Sequence, residues 1–162
     1  MRRSSLLLVV VMFAAAAAAQ TDAQKAFNKI KSMSGTWVFK APDGKSTDVN
    51  FRTVSAGSAV MSEILAPNED MISMIHLDGP NRLLLTHYCA SGNQPRMAAN
   101  VSPDGKIITF NYIDATNLAD PDTGHMRKMV LTVIDDNHHT EEWIFVDHGK
   151  EMKEVFDLHR KM

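Results

Sequence analysis

Short runs with a two-residue hydrophobic period follow one another through most of the sequence from residue 36 onward. Alternate side chains in such a run point to opposite faces, as they do in a β-strand that buries one face. Turn residues (Gly, Pro, Asn and Asp) separate many of these runs, as at positions 42–44, 78–81, 103–105, 135–137 and 147–150. The pattern predicts strands over residues 36–40, 46–55, 58–65, 70–77, 82–89, 97–101, 106–114, 126–134, 140–147 and 151–160.

This succession of nine or ten strands predicts an antiparallel up-and-down meander, and closure into a barrel would remove its two exposed edges. Residues 23–33 differ, because Phe27, Ile30 and Met33 recur at three-residue steps, which predicts one short helix. The longest interruption, at residues 114–125, predicts a loop over one end. The expected fold is an all-β barrel of about nine or ten strands with a short N-terminal helix.

The first 19 residues have the pattern of a secretory signal peptide. Arg2 and Arg3 form a positive end, an apolar stretch follows, and small residues lead to a cleavage site after Ala19, with a cut after Ala23 as the second choice. The apolar stretch is shorter than the roughly 20 residues that a bilayer span needs. We therefore expect an exported protein, periplasmic or secreted, whose mature domain comprises residues 20–162.

Charge and cysteine content narrow the functional classes. Arg2 and Arg3 are the only charged residues of the predicted signal, so residues 20–162 carry 15 basic and 19 acidic side chains, a net charge of −4. Nucleic acid is not an expected partner, since no basic stripe is present to neutralise phosphates. Cys89 is the only cysteine, so no intramolecular disulfide can form and the core must hold the fold.

Two short motifs carry a resemblance. Gly35-Thr36-Trp37 follows the predicted helix, and the chain ends with the strand sequence Phe156-Asp157-Leu158-His159-Arg160. In this order the chain resembles the calycins (lipocalins, fatty-acid-binding proteins and their relatives), and over the mature chain it resembles a family of exported bacterial lipocalin-like proteins without an assigned activity. The resemblance implies that Trp37 packs at the closed end of the barrel beneath Arg160, as a cation–π pair.

Nitrobindin-like haem barrels are also similar, but they usually open with Gly-x-Trp-x-Gly-x-Gly. Here Trp37 is followed by Val38, Phe39 and Lys40, which argues against haem.

The register of two hairpins can be predicted from their turns. Pairing Leu77 with Arg82 groups Ile72, Met74, His76, Leu83, Leu85, His87 and Cys89 on one face and puts Tyr88 on the other; both faces are mostly apolar, so the interior face stays open. Pairing Val146 with Glu151 gives a clearer interior face: His139, Glu141, Trp143, Phe145, Met152, Glu154, Phe156 and Leu158.

Interior carboxylates require partners. Glu141 and Glu154 would each need an arginine, a histidine or water, and the candidate arginines are Arg52, Arg82, Arg96 and Arg127. Arg96 follows Gly92-Asn93 and Pro95, so it could hold an acidic ligand head at the barrel mouth or pair with Glu63 or another acidic neighbour.

Metal and nucleophile chemistry have weaker support. His76 would lie about four residues along the strand from His87, too far for one ion at roughly 3.3 Å per residue. Cys89 and His87 could form a thiolate–imidazole pair, but a free cysteine is usually a small buried hydrophobe. The sequence contains no Gly-x-Ser-x-Gly or His-Glu-x-x-His motif and no phosphate loop. The methionines do not cluster along the chain, which favours core filling or an adaptable cavity wall.

The sequence therefore predicts an exported, non-catalytic barrel that binds a small apolar or amphipathic molecule, with a lipid-like, carboxylate-bearing ligand favoured. No catalytic residue, metal ligand or cofactor is predicted, and a monomer or weak dimer without a membrane span is expected. The alternatives are a hydrolase or isomerase that uses Cys89 and His87, and a haem- or metal-binding barrel. The predicted ligand contacts are His87, Tyr88, Cys89, Arg96, Glu141, Trp143 and Glu154; Trp37 and Arg160 are predicted to be structural.

Overall fold

The computed structural model describes residues 19–66 and 69–161, and the predicted signal peptide, apart from its last residue, lies outside these residues. One helix, α1 (Asp22–Ser32), precedes the strands, and a single 3₁₀ turn (Ser55–Gly57) joins the second strand to the third. The ten strands are β1 (Gly35–Lys40), β2 (Ser46–Val54), β3 (Ala59–Ala66), β4 (Glu69–Leu77), β5 (Leu83–Tyr88), β6 (Gln94–Val101), β7 (Ile107–Thr116), β8 (His125–Asp135), β9 (His138–Asp147) and β10 (Lys150–Arg160).

Each strand pairs antiparallel with the next along the chain, and β1 pairs with β10 to close the barrel. The predicted fold is thus confirmed: an all-β, up-and-down closed barrel with one short helix. The strand bounds differ most at β6, which begins at Gln94 rather than at residue 97. Pro95 is paired within this strand, and a bulge between Arg96 and Met97 shifts the register beside it. A bulge of this kind is where a sheet tolerates proline, which cannot donate to the ladder.

Helix α1 covers one end of the barrel, referred to below as the closed end. A capping box between Thr21 and Gln24 starts the helix, and the Thr21 hydroxyl donates a hydrogen bond to the carbonyl oxygen of Pro80 in the β4–β5 turn. Phe27 and Ile30 are buried in the common core. The opposite end of the barrel contains a cavity, described below, and we call it the open end.

Trp37 and Arg160 fasten the closed end. The two residues are register partners across β1 and β10, and the guanidinium of Arg160 lies 4.3 Å from the Trp37 ring centroid. The indole Nε1 donates to the carbonyl oxygen of Met33 at 2.8 Å. Arg160 also donates to the carbonyl oxygens of Ser34 and Asp136. The predicted cation–π packing is therefore present.

The two predicted hairpin registers had different outcomes. Val146 pairs with Glu151 as predicted, and Trp143, Phe156 and Leu158 are buried inside the barrel. The β4–β5 register was wrong by one residue: Leu77 pairs with Leu83, and the Asp78 N–H donates to the Arg82 carbonyl across a three-residue turn. A one-residue slip exchanges the faces of one strand relative to the other.

The interior face of the β4–β5 hairpin therefore combines residues that the prediction separated. Ser73 and Ile75 of β4 share it with Leu83, Leu85 and His87 of β5, and all five are buried. His76 lies on the outer face with Ile72 and Tyr88. Within residues 19–66 and 69–161, no helix has the length and hydropathy required to cross a membrane.

Candidate functional site

A cavity of about 750 Å³ opens at the open end. Its walls come from β4, β8, β9 and β10 and from the turn after β5. Three methionines, two aromatic rings and a thiol supply most of the apolar surface, while two carboxylates and a lysine supply the charge. The lining residues are Glu69, Met71, Cys89, Ala90, Ser91, Met126, Trp143, Phe145, Met152, Lys153 and Glu154.

Strand β9 runs from the closed end to the open end, and its inward residues change in character along the way. His139 is deepest, in edge-to-face contact with Trp37, with ring centroids 4.3 Å apart. Glu141 comes next, followed by Trp143, which lines the bottom of the cavity and is 3 % exposed. Phe145 lies at the mouth. The apolar cavity therefore stands above a layer of buried polar side chains.

Glu141 finds its partners on its own strand. Trp143 Nε1 donates to its Oε2 at 3.0 Å, and His139 Nε2 lies 3.5 Å from its Oε1. Of the partners considered from the sequence, a histidine is the one adjacent to Glu141, although the contact between His139 Nε2 and Glu141 Oε1 is not a hydrogen bond. None of the four candidate arginines pairs with Glu141: Arg82 pairs with Asp78 and Arg96 with Asp114, while Arg52 contacts Met61 and Arg127 stacks on Tyr112.

His87 belongs to the same buried layer. Its Nδ1 is 2.9 Å from the Ser73 hydroxyl, and its ring packs against Trp143 at a centroid distance of 4.7 Å, with the two planes inclined by 42°. Burial lowers the pKa of His87 to about 4, so the imidazole is neutral at physiological pH. Trp143 contacts both His87 and Glu141 and also lines the cavity. The tryptophan therefore connects these two buried polar residues with the cavity wall.

Several buried polar atoms of this layer have no hydrogen-bond partner among the described residues: His87 Nε2, both ring nitrogens of His139 and Glu141 Oε1. Leaving such atoms unsatisfied costs about 1–3 kcal/mol each, and buried polar groups of this kind ordinarily bind ordered water. The layer therefore offers hydrogen-bonding capacity directly below the cavity.

The thiolate–imidazole pair of Cys89 and His87, considered as an alternative from the sequence, is not formed. The Cys89 sulfur accepts a hydrogen bond from the Ser91 hydroxyl at 3.0 Å, whereas His87 bonds to Ser73. Ser73 escaped sequence analysis because the predicted register placed it on the opposite face from His87. Cys89 nevertheless lines the cavity, as Trp143 and Glu154 do.

The rim of the cavity is mainly acidic. Burial and the neighbouring negative charge of Glu69 raise the pKa of the Glu154 carboxyl above its usual range. Lys153 is held by an ion pair with Glu142 at 2.5 Å. Of the three partners considered for Glu154 (an arginine, a histidine or water), neither of the first two is present: within the described residues its carboxylate takes part in no ion pair at 4.0 Å or less.

The polar sequence after β5 anchors the loop at residues 117–124. The Asn93 side-chain amide donates to the Gly124 carbonyl oxygen at 2.9 Å, and that of Asn117 donates to the Gly92 carbonyl oxygen at 2.7 Å. The Thr116 hydroxyl donates to the Gln94 side-chain oxygen at 2.8 Å. These residues position the loop beside the cavity mouth.

Two predicted ligand contacts lie away from the cavity. Tyr88 is on the outer face and is 49 % exposed. Arg96 makes an exposed bidentate pair with Asp114, through Nε–Oδ1 at 2.6 Å and a second Nη2–Oδ2 bond. Of the two readings considered for Arg96, pairing with an acidic neighbour is the one observed, and the neighbour is Asp114 rather than Glu63. The site predicted from sequence thus divides into cavity residues (Cys89, Trp143 and Glu154), the buried layer beneath (His87 and Glu141), and these two surface residues.

The apolar wall is what sequence analysis missed. Met71, Met126, Met152 and Phe145 come from four different strands, so they are scattered in sequence and adjacent only in the closed barrel. The Phe145–Met152 pair could have been identified as part of a cavity, since both lie on the correctly predicted interior face of β9 and β10.

No family model matches this sequence, and no curated protein matches it. The geometry nevertheless defines a class of protein: a closed, ten-stranded, antiparallel up-and-down barrel with a helix over one end and a cavity at the other.

Proposed function

We propose that the protein binds a small apolar or amphipathic molecule in the open-end cavity and does not transform it. The observation that carries the proposal is the cavity itself, whose volume of about 750 Å³ lies in the roughly 300–1,000 Å³ range of small-molecule sites. Trp143 provides a flat apolar floor, and Met71, Met126 and Met152 provide walls that adapt to different shapes.

The charge at the rim bears on the polar end of the ligand. Glu69 and Glu154 line the cavity, and Lys153 is engaged by Glu142. The sequence-based preference for a carboxylate-bearing ligand depended on Arg96, which pairs with Asp114 outside the cavity lining. An uncharged or cationic head group is therefore the better match, because it avoids placing a third carboxylate beside the other two.

The separate partners of Cys89 and His87 support binding over catalysis by that pair. Cys89 bonds to Ser91 and His87 to Ser73, and the latter pair is buried beneath Trp143 rather than exposed to the cavity. We further propose that the barrel belongs with the calycins and acts after export as a monomer or weak dimer. The Gly35-Thr36-Trp37 motif, the Trp37–Arg160 pair and the signal-like N-terminal sequence support these parts of the proposal.

A plug variant tests the site. Ala90 is exposed and lines the cavity, so Ala90→Trp should fill the mouth without disturbing the core, whereas Asn81→Trp places the same side chain in an exposed turn at the closed end. Binding of dodecanol, dodecylamine and dodecanoate is measured by isothermal titration calorimetry. Native mass spectrometry with lipid extraction identifies molecules that copurify.

The expected result is binding of the alcohol or the amine that Ala90→Trp weakens by at least tenfold and Asn81→Trp leaves unchanged. Dodecanoate should bind most weakly. Failure of all three probes to bind, together with no copurifying molecule, would reject the carrier function. Equal binding by the plug variant and the wild type would place the ligand outside this cavity.

A further inference from the structure

A second cluster of chemically capable side chains lies on the outer face of the barrel, away from the cavity. His138 and His159 are direct register partners on β9 and β10, and Asp157 is two residues before His159 on the same face of β10. Within the part of the chain that the structure describes, these three form the only group of three or more His, Cys, Asp or Glu side chains whose ligand atoms converge in this way.

The two imidazole rings are stacked, with centroids 4.2 Å apart and planes inclined by 20°. The carboxylate of Asp157 faces both rings: His138 Nε2 lies 2.5 Å from its Oδ1, and His159 Nε2 lies 3.9 Å from its Oδ2. One ligand atom from each residue lies within 4.8 Å of the others. The three side chains therefore bring two nitrogen ligand atoms and one oxygen ligand atom close together on the outer face of β9 and β10.

We propose that His138, Asp157 and His159 form a surface binding site for a divalent transition-metal ion such as Zn²⁺, Cu²⁺ or Ni²⁺. Two imidazoles and a carboxylate are ligands that these ions accept, and water would complete the coordination. Bond lengths of 2.0–2.2 Å place ligand atoms roughly 3.4 Å apart around a tetrahedral ion. Binding would thus draw His159 inward and separate His138 slightly from Asp157, movements that rotation of exposed side chains can supply.

The backbone around the cluster is well held. The Arg160 N–H donates to the Asn137 carbonyl oxygen at 2.9 Å, and the Arg160 side chain is fixed by Ser34, Asp136 and Trp37. Two histidines that face each other across paired strands lose little conformational freedom on binding an ion, because the strands already hold their Cα atoms in register. Lys40 lines the surface groove beside Asp157 and His159, and its positive charge would oppose a cation.

Calorimetric titration with ZnCl₂ and the electron paramagnetic resonance spectrum with Cu²⁺ test the site on the full chain. One equivalent of zinc should bind the wild type, and the Cu²⁺ spectrum should show two imidazole nitrogens. His138→Ala and His159→Ala should each weaken zinc binding by at least roughly 10-fold. Loss of a residue that only hydrogen-bonds to a metal ligand already costs about this much, and a lost ligand should cost no less. Lys40→Gln should strengthen it.

His148→Ala is the matched control, because His148 also contacts an aspartate, Asp147, at 2.8 Å but has no second histidine in its cluster. It should leave the zinc affinity unchanged, as should Cys89→Ser in the cavity. Zinc should also raise the melting temperature of the wild type and of the controls but not of the two histidine variants. The metal site would be rejected if zinc did not bind the wild type at millimolar concentration, or if His138→Ala and His159→Ala bound zinc as tightly as the wild type does. The cluster would then be only a hydrogen-bonded His–Asp pair beside a second histidine.

Discussion

The Ser73 hydroxyl lies 2.9 Å from Nδ1 of His87, and both side chains are buried inside the barrel. Burial lowers the pKa of His87 to about 4 from an ordinary value near 6.5. The unfolded chain therefore binds a proton before the native protein does as the pH falls. Stability is unaffected by this group above pH 6.5 and is lost progressively between pH 6.5 and 4, by an amount on the order of 3 kcal/mol.

Replacing this pair should flatten the pH dependence of stability. In Ser73→Ala/His87→Leu the ionisable group and its hydroxyl partner are removed together, so no buried donor or acceptor of the pair is left behind. Urea unfolding at pH 7.5, 6, 5 and 4 should show a smaller loss of unfolding free energy than in the wild type. His76→Gln on the outer face controls for removal of an imidazole. An unchanged pH slope in the double variant would show that His87 is not the titrating group.

The cation–π pair of Trp37 and Arg160 at the closed end predicts that replacing this one arginine lowers the free energy of unfolding substantially. Arg160→Ala removes the cation–π contact with Trp37 and the hydrogen bonds to two backbone carbonyls, at a cost of about 2–4 kcal/mol. Arg160→Lys keeps the charge but lacks the planar fork, so it should recover less than half of that loss.

Chemical denaturation monitored by tryptophan fluorescence measures both variants. Arg52→Ala is the control, since Arg52 is exposed and its guanidinium contacts the Met61 sulfur. A cost below about 0.5 kcal/mol for Arg160→Ala, the range of ordinary surface substitutions, would contradict a fastening role.

Sequence reasoning succeeded where one face of a hairpin is distinctly apolar. In the last hairpin Trp143, Phe145 and Phe156 alternate with charged residues such as Glu142 and Asp157, so one register satisfies the pattern. In the β4–β5 hairpin, apolar residues occupy both faces, and Ile72 remains 37 % exposed on the outside. The hydrophobic pattern therefore does not determine the register, and the turn does. The Asp78–Arg82 backbone hydrogen bond makes the loop three residues long, one fewer than the predicted pairing of Leu77 with Arg82 requires. That one-residue difference is what brings Ser73 to His87.

The cavity could be predicted only in part, for a different physical reason. Trp143 and Glu154 belong to one hairpin, and their side-chain direction follows from local alternation. Met71 and Met126 reach the same wall only through closure of the barrel, which is a consequence of packing over the whole chain. Arg96 was predicted to contact a ligand, whereas it pairs with Asp114 on the neighbouring strand. This pairing lies beside a β-bulge, and no local sequence pattern indicates the bulge.

Gly124 offers a way to alter the cavity from its surrounding loop. A Cβ atom at this position would lie 2.6 Å from Cζ of Phe145, whose ring forms part of the cavity wall. Gly124→Ala should displace that ring and weaken binding of dodecanol. Overpacking should also lower the free energy of unfolding by about 1–3 kcal/mol.

Gly124→Ala/Phe145→Leu is the matched rescue, because the shorter side chain relieves the contact. Calorimetry should show that the second change restores at least part of the lost stability and affinity. If Gly124→Ala left both quantities at wild-type values, the loop would be free to move away and would not set the cavity shape.

The carboxylates at the cavity rim predict which ligands bind with an affinity that depends on pH. Burial and Glu69 raise the pKa of the Glu154 carboxyl, so Glu154 loses its charge at a higher pH than an ordinary glutamate does. Dodecylamine stays protonated throughout the acidic range, and its binding should weaken as the pH falls through that raised pKa, whereas dodecanol binding should change little. Glu154→Gln should abolish this difference, and Glu63→Gln, which alters a carboxylate on the outer face of β3 opposite Ile72 and away from the cavity lining, should not. Parallel pH profiles for the amine and the alcohol in the wild type would show that Glu154 does not contact the ligand head group, while leaving the apolar cavity as the binding site.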